Sequence, residues 1–593
     1  MIIQQIARHT VEIINDLFQH TVKEESLTIS RTRDEFEGDF TLVTFPLSKI
    51  AGKSPQDIAN ILGEALLLRM PELLSYNVIK GFLNLSLNDS FWTSFFTEAY
   101  SIKQFGYSEV NENHAPVLIE YSSPNTNKPL HLGHIRNNLL GWSISRILEA
   151  NGNKVYRVNL VNDRGIHICK SMLAWQKSGL SETPESTGMK GDHLVGKYYV
   201  IFDQMHKAEI QKLVDGGMKS EEAAKKTPLI LEAQDMLRKW EAGDSEVRDL
   251  WQMMNSWVYA GFDDTYKRMG VSFHKIYHES QTYLLGKSLV EEGLEKNVLQ
   301  KKDDGSVWID LTDEGLDEKL LLRADGTSVY ITQDLGTAQL RHNDFDAAKM
   351  IYVVGNEQIY HFDVLKKILA KMDKSWASGI FHLSYGMVEL PEGKMKSREG
   401  TVVDADELME EMVNTAKQKT EELGKIDGFD EETAKNLYEM IGMSALKYFI
   451  LKVDPKKTML FNPQESIDFN GHTGPFIQYT YARIRSILRK GGYVDFSACK
   501  HPMELFPKEK ELLRWIYEFP QAVNEASDTY SPAVVANYVY DLARVFNQFY
   551  HEINILRETD EICREFRIGL SALCGRIICD AMDLLGIEVP EKM

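Results

Sequence analysis

The sequence is short of cysteine, short of cations relative to anions, and without any long apolar run, and each shortage removes a class of protein. Its five cysteines, Cys169, Cys499, Cys563, Cys574 and Cys579, are an odd number with no C-x-x-C pair. That excludes a disulfide frame and a structural zinc site, and predicts free thiols in a reducing compartment with no zinc. Against 87 Asp and Glu there are only 67 Lys and Arg, a net charge of -20. Taken alone this argues against a nucleic-acid partner, because phosphate binding needs cations, so any such surface must be local. No apolar run is long enough to cross a bilayer, so no membrane is expected. Met1 to Leu17 mixes apolar and polar residues as an amphipathic helix does and lacks the continuous apolar centre of a signal peptide, which predicts a cytoplasmic protein. What is there is ordinary: 593 residues, 43% apolar and 26% charged, enough for sizeable cores in roughly four domains.

One stretch organises the rest. Ile119 to Asn138 reads I-E-Y-S-S-P-N-T-N-K-P-L-H-L-G-H-I-R-N-N. The apolar run Pro116 to Ile119 before it predicts a buried strand. Leu140, Ile144, Ile147 and Leu148 after it fall on one side of a helix over Ile135 to Glu149. Pro124, Pro129 and Gly133 lie between, so the segment reads as strand, loop and helix start. A helix N-terminus directs unpaired N-H groups and the positive end of its dipole at a phosphate. His131 and His134, three apart, share a face once the helix begins, and Gly133 leaves room for a flat ring. A strand at Lys154 to Val161, the N-D-R-G at Asn162 to Gly165, and a helix from Ile166 complete a βαβ rhythm. The fold class expected is α/β, a doubly wound parallel, Rossmann-like sheet. Asp163 and His167 then lie near the ligand crevice by topology, with a helix N-cap as the other reading of Asp163.

Around this core the chain divides by pattern. Residues 1–110 form an N-terminal α+β domain, with helices at Ile3 to Phe18, Pro55 to Leu68 and Ser90 to Tyr100 and β-like runs at Phe40 to Phe45 and Tyr76 to Leu87. The catalytic region, 111–403, carries a helical insertion at about 177–320, and its sheet resumes with strands at Ser328 to Thr332, Met350 to Val354 and Ile380 to Val388. Three segments here carry chemistry: Y-I-T-Q-D at Tyr330 to Asp334, read as a strand end with a carboxylate; G-N-E-Q-I-Y-H at Gly355 to His361; and the cationic loop P-E-G-K-M-K-S-R-E-G-T at Pro391 to Thr401. A helical connecting region, 404–459, leads into an all-α domain at 460–593. From Phe469 to Val494 that domain holds Arg483, Arg485, Arg489 and Lys490 and no acid, with Phe476, Tyr479 and Tyr481 interleaved. In so acidic a chain, this is what a local RNA surface requires; an aromatic core stripe with a solvated basic face is the other reading.

The segment E-Y-S-S-P-N-x-x-K-P-L-H-x-G-H resembles arginyl-tRNA synthetases, class I enzymes whose His-Ile-Gly-His signature would here be His131 to His134, with Leu for Ile. The resemblance extends over nearly the full chain, to G-D-F at Gly38 to Phe40, G-F-L-N-L-S-L at Gly81 to Leu87 and the C-terminal helices. It implies an arginine-tRNA ligase that makes arginyl-adenylate from L-arginine and ATP, with Mg2+ on the phosphates, and passes arginine to the terminal adenosine of tRNA(Arg). It also implies that tRNA binds before activation. The histidines would hydrogen-bond ATP, together with Gly133 and with Lys394, Met395 and Ser397 of a loop similar to the Lys-Met-Ser-Lys-Ser signature. Here the second signature lysine is replaced by Ser397. In the family a lysine just before the histidine signature takes its place, which would here be Lys128, and Lys396 or Arg398 could also serve. Asn84 would touch the tRNA elbow, or else simply fill a strand-edge turn; the C-terminal domain would hold the anticodon, with Tyr479, Arg483 and Met593 as contacts. A monomer is expected.

A guanidinium offers five donors in a planar fork and never loses its charge, so a pocket for it needs carboxylates. The resemblance places Glu120 and Asp334 at that group, Tyr330 against its plane, and Asn125 and Gln358 toward the amino-acid head. The other reading of a buried acid is an ion pair with a structural arginine, with Arg136 and Arg323 as candidates. A cysteinyl enzyme would need zinc ligands that are missing, and a glutamyl enzyme a cationic pocket. A catalytically dead relative that only binds tRNA would be consistent with Ser397.

Overall fold

The computed structural model describes residues 2–33, 35–179, 181–389, 403–424, 428–492 and 501–593; Lys394, Met395, Lys396, Ser397, Arg398 and Cys499 lie outside the described residues. Two compact units emerge, one of residues 1–105, 483–519 and 541–577, the other of 106–482, 520–540 and 578–593.

In the first unit, Ile2, Ile6, Ile13 and Ile14 recur on one side of the Ile2–Phe18 helix and are buried. The Pro55–Arg69 helix starts where Ser54 accepts a hydrogen bond from Asp57 N and Pro55 supplies a preset φ. Four strands, β1 (Ile29–Arg31), β2 (Phe40–Val43), β3 (Leu73–Ile79) and β4 (Phe82–Leu87), make an antiparallel sheet of order β1-β2-β4-β3. The run expected over Tyr76 to Leu87 is therefore a hairpin, turned at Lys80 and Gly81 with φ of 51° and 82°, the paired left-handed geometry of a tight β-turn. Tyr517 binds the core together: its hydroxyl accepts from Ile2 N at 2.6 Å, and its ring centroid lies 5.0 Å from that of Phe95.

The second unit carries the sheet on which the site is built. Strands β5 (Val117–Glu120), β6 (Val155–Val161) and β7 (Lys275–His278) pair in parallel in that spatial order. Next along the chain, β8 (Gln300–Lys301), β9 (Val307–Ile309) and β10 (Lys319–Leu322) form a small antiparallel sheet. Then β11 (Lys349–Gly355) and β12 (Ile380–Tyr385) add to the other side of β5, giving the order β12-β11-β5-β6-β7. The winding reverses between β5 and β11, so the ligand crevice belongs outside their carboxyl ends. Leu118, Val158, Met350, Ile368 and Ile380 are among the buried residues that pack this sheet and its helices into one core. No described helix is long and apolar enough to cross a membrane.

Three expectations are corrected here. Residues 177–320 are not a purely helical insertion: β7 joins the main sheet and β8 to β10 make their own, because K-I-Y-H is too short to show periodicity and its place is decided by pairing with β6. Ser328 to Thr332 is not a strand: Tyr330–Phe345 is a helix. Its β-branched start invited the strand reading, but Ile331, Leu335 and Ala338 are buried at helical spacing, and Gly336 comes so close to the Gly286–Glu295 helix that a Cβ there would stand 2.4 Å from Gly286 N. The expected strand Ile380 to Val388 stops at Tyr385. At Gly386 the backbone turns to bond Pro455 O, and β13 (Val388–Glu389) pairs instead with β14 (Met459–Leu460).

Candidate active site

The chain leaves β5 through a strained turn. Ser122 and Ser123 have φ of 79° and 46°, left-handed values that non-glycine residues adopt only when their surroundings compel them. The compulsion comes from side-chain amides: Ser122 N donates to Asn137 Oδ1 at 2.5 Å and Ser123 N to Asn159 Oδ1 at 3.0 Å. Asn125 then bridges to Asn162 at the end of β6, with Thr126 N donating to Asn162 O at 3.1 Å.

This turn delivers His131 to the cap of the Leu132–Ala150 helix. Gly133 N donates to His131 Nδ1 at 3.1 Å, and His131 N donates to His134 Nδ1 at 3.2 Å. With both Nδ1 atoms accepting, each neutral ring carries its proton on Nε2 and presents it as a donor. Burial, with Lys128 nearby, brings His131 down to about 4; burial, then His131 and Lys128, holds His134 well below the usual imidazole range. The pair is therefore uncharged at neutral pH. Lys128, itself lowered by burial, is the cation beside it.

A crevice of about 830 Å³ opens at the carboxyl ends of the strands, lined by Asn125, Lys128, Arg164, Glu279, Tyr330 and Asp334 among others. Tyr330, Gln333, Asp334 and Thr337 face it from successive turns of one helix. Tyr330 is 81% exposed at its mouth. Asp334 Oδ2 accepts a hydrogen bond from His361 Nε2 at 2.6 Å.

The structure brings Asn125, Lys128, Tyr330 and Asp334 together in that crevice. Glu120 stands differently. It is 6% exposed, Ser123 Oγ donates to its Oε1 at 2.9 Å, and its other oxygen is paired with the guanidinium of Arg341, itself 2% exposed. The protein thus supplies Glu120 with an arginine of its own, and neither Arg136 nor Arg323 is that partner. Arg136 instead donates to Met387 O, Pro455 O and Lys457 O. Tyr352, on β11 opposite Glu120, is within electrostatic reach of both Glu120 and Asp334. Gln358 is exposed just past the end of β11.

Asp163 is a buried hub rather than a helix cap: Ser280 N and Oγ and Tyr259 Oη all donate to it at 2.8 Å, and despite burial these bonds and His278 keep its carboxyl below the usual range. Asn84 is 1% exposed; Thr41 donates to its Oδ1 at 2.7 Å and its Nδ2 donates to Asn77 at 2.8 Å. It lies on β4, a central strand of its sheet and not an edge turn. Arg483 pairs with Asn547 and lies 5.0 Å over the Tyr550 ring, while Tyr479 and Met593 are half-buried. Cys169, Cys563, Cys574 and Cys579 are free thiols.

Sequence reasoning missed Glu279 and Arg341. Burial pushes the Glu279 carboxyl up to about 7, with Arg164 opposing and Asp163 and Asp334 adding to the rise, and no described side chain is bonded to it. Its signal, the E of Y-H-E-S-Q, was hidden in a stretch read as an insertion. Arg341 carried the signal of an arginine on the buried face of a helix.

Residues 99–462 match the family described as "tRNA synthetases class I (R), catalytic domain", residues 477–593 the "DALR anticodon binding domain", and residues 3–87 the "Arginyl tRNA synthetase N terminal domain". The arginine-tRNA ligase of Bacteroides thetaiotaomicron is 57% identical over 580 residues, 97% of each chain, and that of Porphyromonas gingivalis 53% identical over 595 residues, the whole of both. The solved arginyl-tRNA synthetase of Thermus thermophilus covers both chains completely at 25% identity with a TM-score of 0.81. A strand-turn-helix that presents two neutral imidazoles at the switch point of a parallel sheet, within a chain matched from end to end, leaves one assignment: the chain belongs to the arginyl-tRNA synthetases, class I aminoacyl-tRNA synthetases.

Proposed function

We propose that L-arginine and ATP meet in the crevice at the carboxyl ends of β5, β6 and β7, where the arginine carboxylate attacks the α-phosphorus. The bond to the bridging oxygen breaks, pyrophosphate leaves, and arginyl-adenylate remains until a hydroxyl of the terminal adenosine of tRNA(Arg) displaces AMP. ATP arrives with Mg2+ as part of the substrate. The protein contributes position and charge: Nε2 donors of His131 and His134 take phosphate oxygens over Gly133, and Lys128 supplies the cation. Lys394, Met395 and Ser397, outside the described residues, are assigned to ATP in this reading. Asp334 holds the guanidinium with Tyr330 on its plane, and Asn125 and Gln358 address the head of the amino acid. Glu120, already neutralised by Arg341, shapes the wall, while Glu279 is the other acid open to a cationic substrate.

Residues 1–110 are proposed as the tRNA-elbow domain, with Asn84 supporting Asn77 on its sheet, 111–403 as the catalytic domain, 404–459 as a helical connection and 460–593 as the anticodon domain, with Tyr479, Arg483 and Met593 toward the RNA. The protein is proposed to work as a cytoplasmic monomer. The observation that carries the reading is the buried imidazole pair beside a crevice that holds Asp334 and Glu279 together with Lys128. Arginine-dependent exchange of pyrophosphate into ATP tests it, with and without tRNA(Arg): exchange is expected only with tRNA present, and its absence under all conditions would favour a tRNA-binding protein without catalysis. Asp334→Ala should raise the KM for arginine far more than that for ATP; equal losses would contradict its role.

A further inference from the structure

Behind the imidazole pair lies a cluster that the reaction scheme does not use. The Gly191–Asp215 helix begins beside Lys190 and carries Asp192 and His193 in its first turn. His193 Nε2 lies 3.3 Å from Asp404 Oδ2 and 3.2 Å from Asp406 Oδ2. Lys190 Nζ lies 2.6 Å from Asp406 Oδ2 and 3.4 Å from Asp192 Oδ2, and Thr265 Oγ1 donates to Asp406 Oδ1 at 3.1 Å. Asp192, His193 and Asp406 are close enough to hold a metal ion. The ammonium of Lys190 already stands among them as the neutralising cation, which favours a fixed ionic knot over a metal site.

What this knot grips is the signature itself. Asp404 caps the Ala405–Glu422 helix and pairs, backbone to backbone, with His131: Leu132 N donates to Val403 O at 3.1 Å and Ala405 N to Leu130 O at 3.0 Å. The Gly191–Asp215 helix, which carries His193, comes against the other flank of the motif at Gly196, where a Cβ would stand 2.9 Å from Pro129 Cδ. One helix therefore touches the chain just before His131 and holds the residue paired to it. We propose that His193 is a positioning residue for adenylate formation, clamping Asp404 so that the backbone under His131 keeps its imidazole aimed at the phosphates.

The proposal rests on the phosphate role assigned to His131 and His134. His193 bridges two carboxylates that would otherwise repel, with Asp192 as a third acid and Lys190 as the remaining cation, so its removal should loosen Asp404 from the motif. The test is tRNA-dependent pyrophosphate exchange by the full-length His193→Ala and His193→Asn proteins, with His131→Ala and wild type alongside. A misplacement near an ångström costs up to about 100-fold, so His193→Ala is expected to lower kcat roughly 10- to 100-fold with the KM for arginine within about twofold. His193→Asn, which keeps one donor, should recover part of that loss. If His131→Ala is impaired while both His193 variants match wild type in kcat, positioning by His193 is overturned and the reading of the imidazoles stands. A kcat loss fully accounted for by a smaller folded fraction, or shared equally by the KM for arginine, would also overturn it. If wild type itself shows no exchange, it is the functional reading that fails.

Discussion

At the scale of single residues, the site works by deciding which groups are charged. His131 titrates near 4 because burial removes the water that would stabilise an imidazolium. A histidine lowered in the folded protein stays neutral above that value, so kcat for exchange should show no inflection near 6.5 from this ring; an inflection there that vanishes in His131→Asn would contradict its neutrality. Glu279 moves the other way, up to about 7. Its protonated form has no charge to offer a guanidinium, so arginine affinity should fall as pH drops below 7, by about tenfold at one unit below, and Glu279→Gln should abolish that dependence in a titration of KM against pH. Gly133 has a plainer constraint: a Cβ there would lie 3.0 Å from His131 Cε1. Gly133→Ala should tilt the ring and cut exchange about tenfold, with the melting temperature close to that of wild type.

At the scale of elements, the Tyr330–Phe345 helix stands where a strand was expected. Four residues apart is close to one turn of a helix and is two repeats of a strand, so Tyr330 and Asp334 share a face under either reading. Their pairing survived the wrong secondary structure for that reason. The same helix buries Arg341 against Glu120. Removing one partner of a buried pair leaves the other charge uncompensated, so Arg341→Leu should destabilise the protein by about 3–5 kcal/mol in urea unfolding, and Arg341→Leu combined with Glu120→Gln should recover part of it. Overpacking acts on the opposite side of that helix. Gly336→Ala places a methyl group against Gly286 and should cost about 1–3 kcal/mol by the same measurement.

At the scale of the whole molecule, charge composition and function point in opposite directions. A chain of net charge -20 that binds RNA must do so through local cations, and the run from Phe469 to Val494 holds four cations and no acid. Residues 483–519 and 541–577 group with 1–105, so the Gly474–Gly491 and Pro532–Glu552 helices each supply residues to both units. No composition shift marks such a division, since it depends on which helical faces bury one another and not on where polar linkers fall.

The sequence by itself determined the local chemistry of the motif: a histidine at the helix cap and another three residues on, in the first turn, exchange ring-to-backbone hydrogen bonds that bring their imidazoles together. It determined likewise the central strands β5 and β11, whose V-L-I and M-I-Y-V-V runs carry no charge, where the K-I-Y-H of β7 opens and closes on polar residues. Tertiary structure alone decided which acids the crevice exposes. Arg341, distant in the chain, takes the charge of Glu120, while β7, four residues long, carries the chain to Glu279 at the crevice wall. Ion pairing and strand pairing across long sequence separations leave no local period to read, whereas caps, turns and helical faces are written within a few residues of one another.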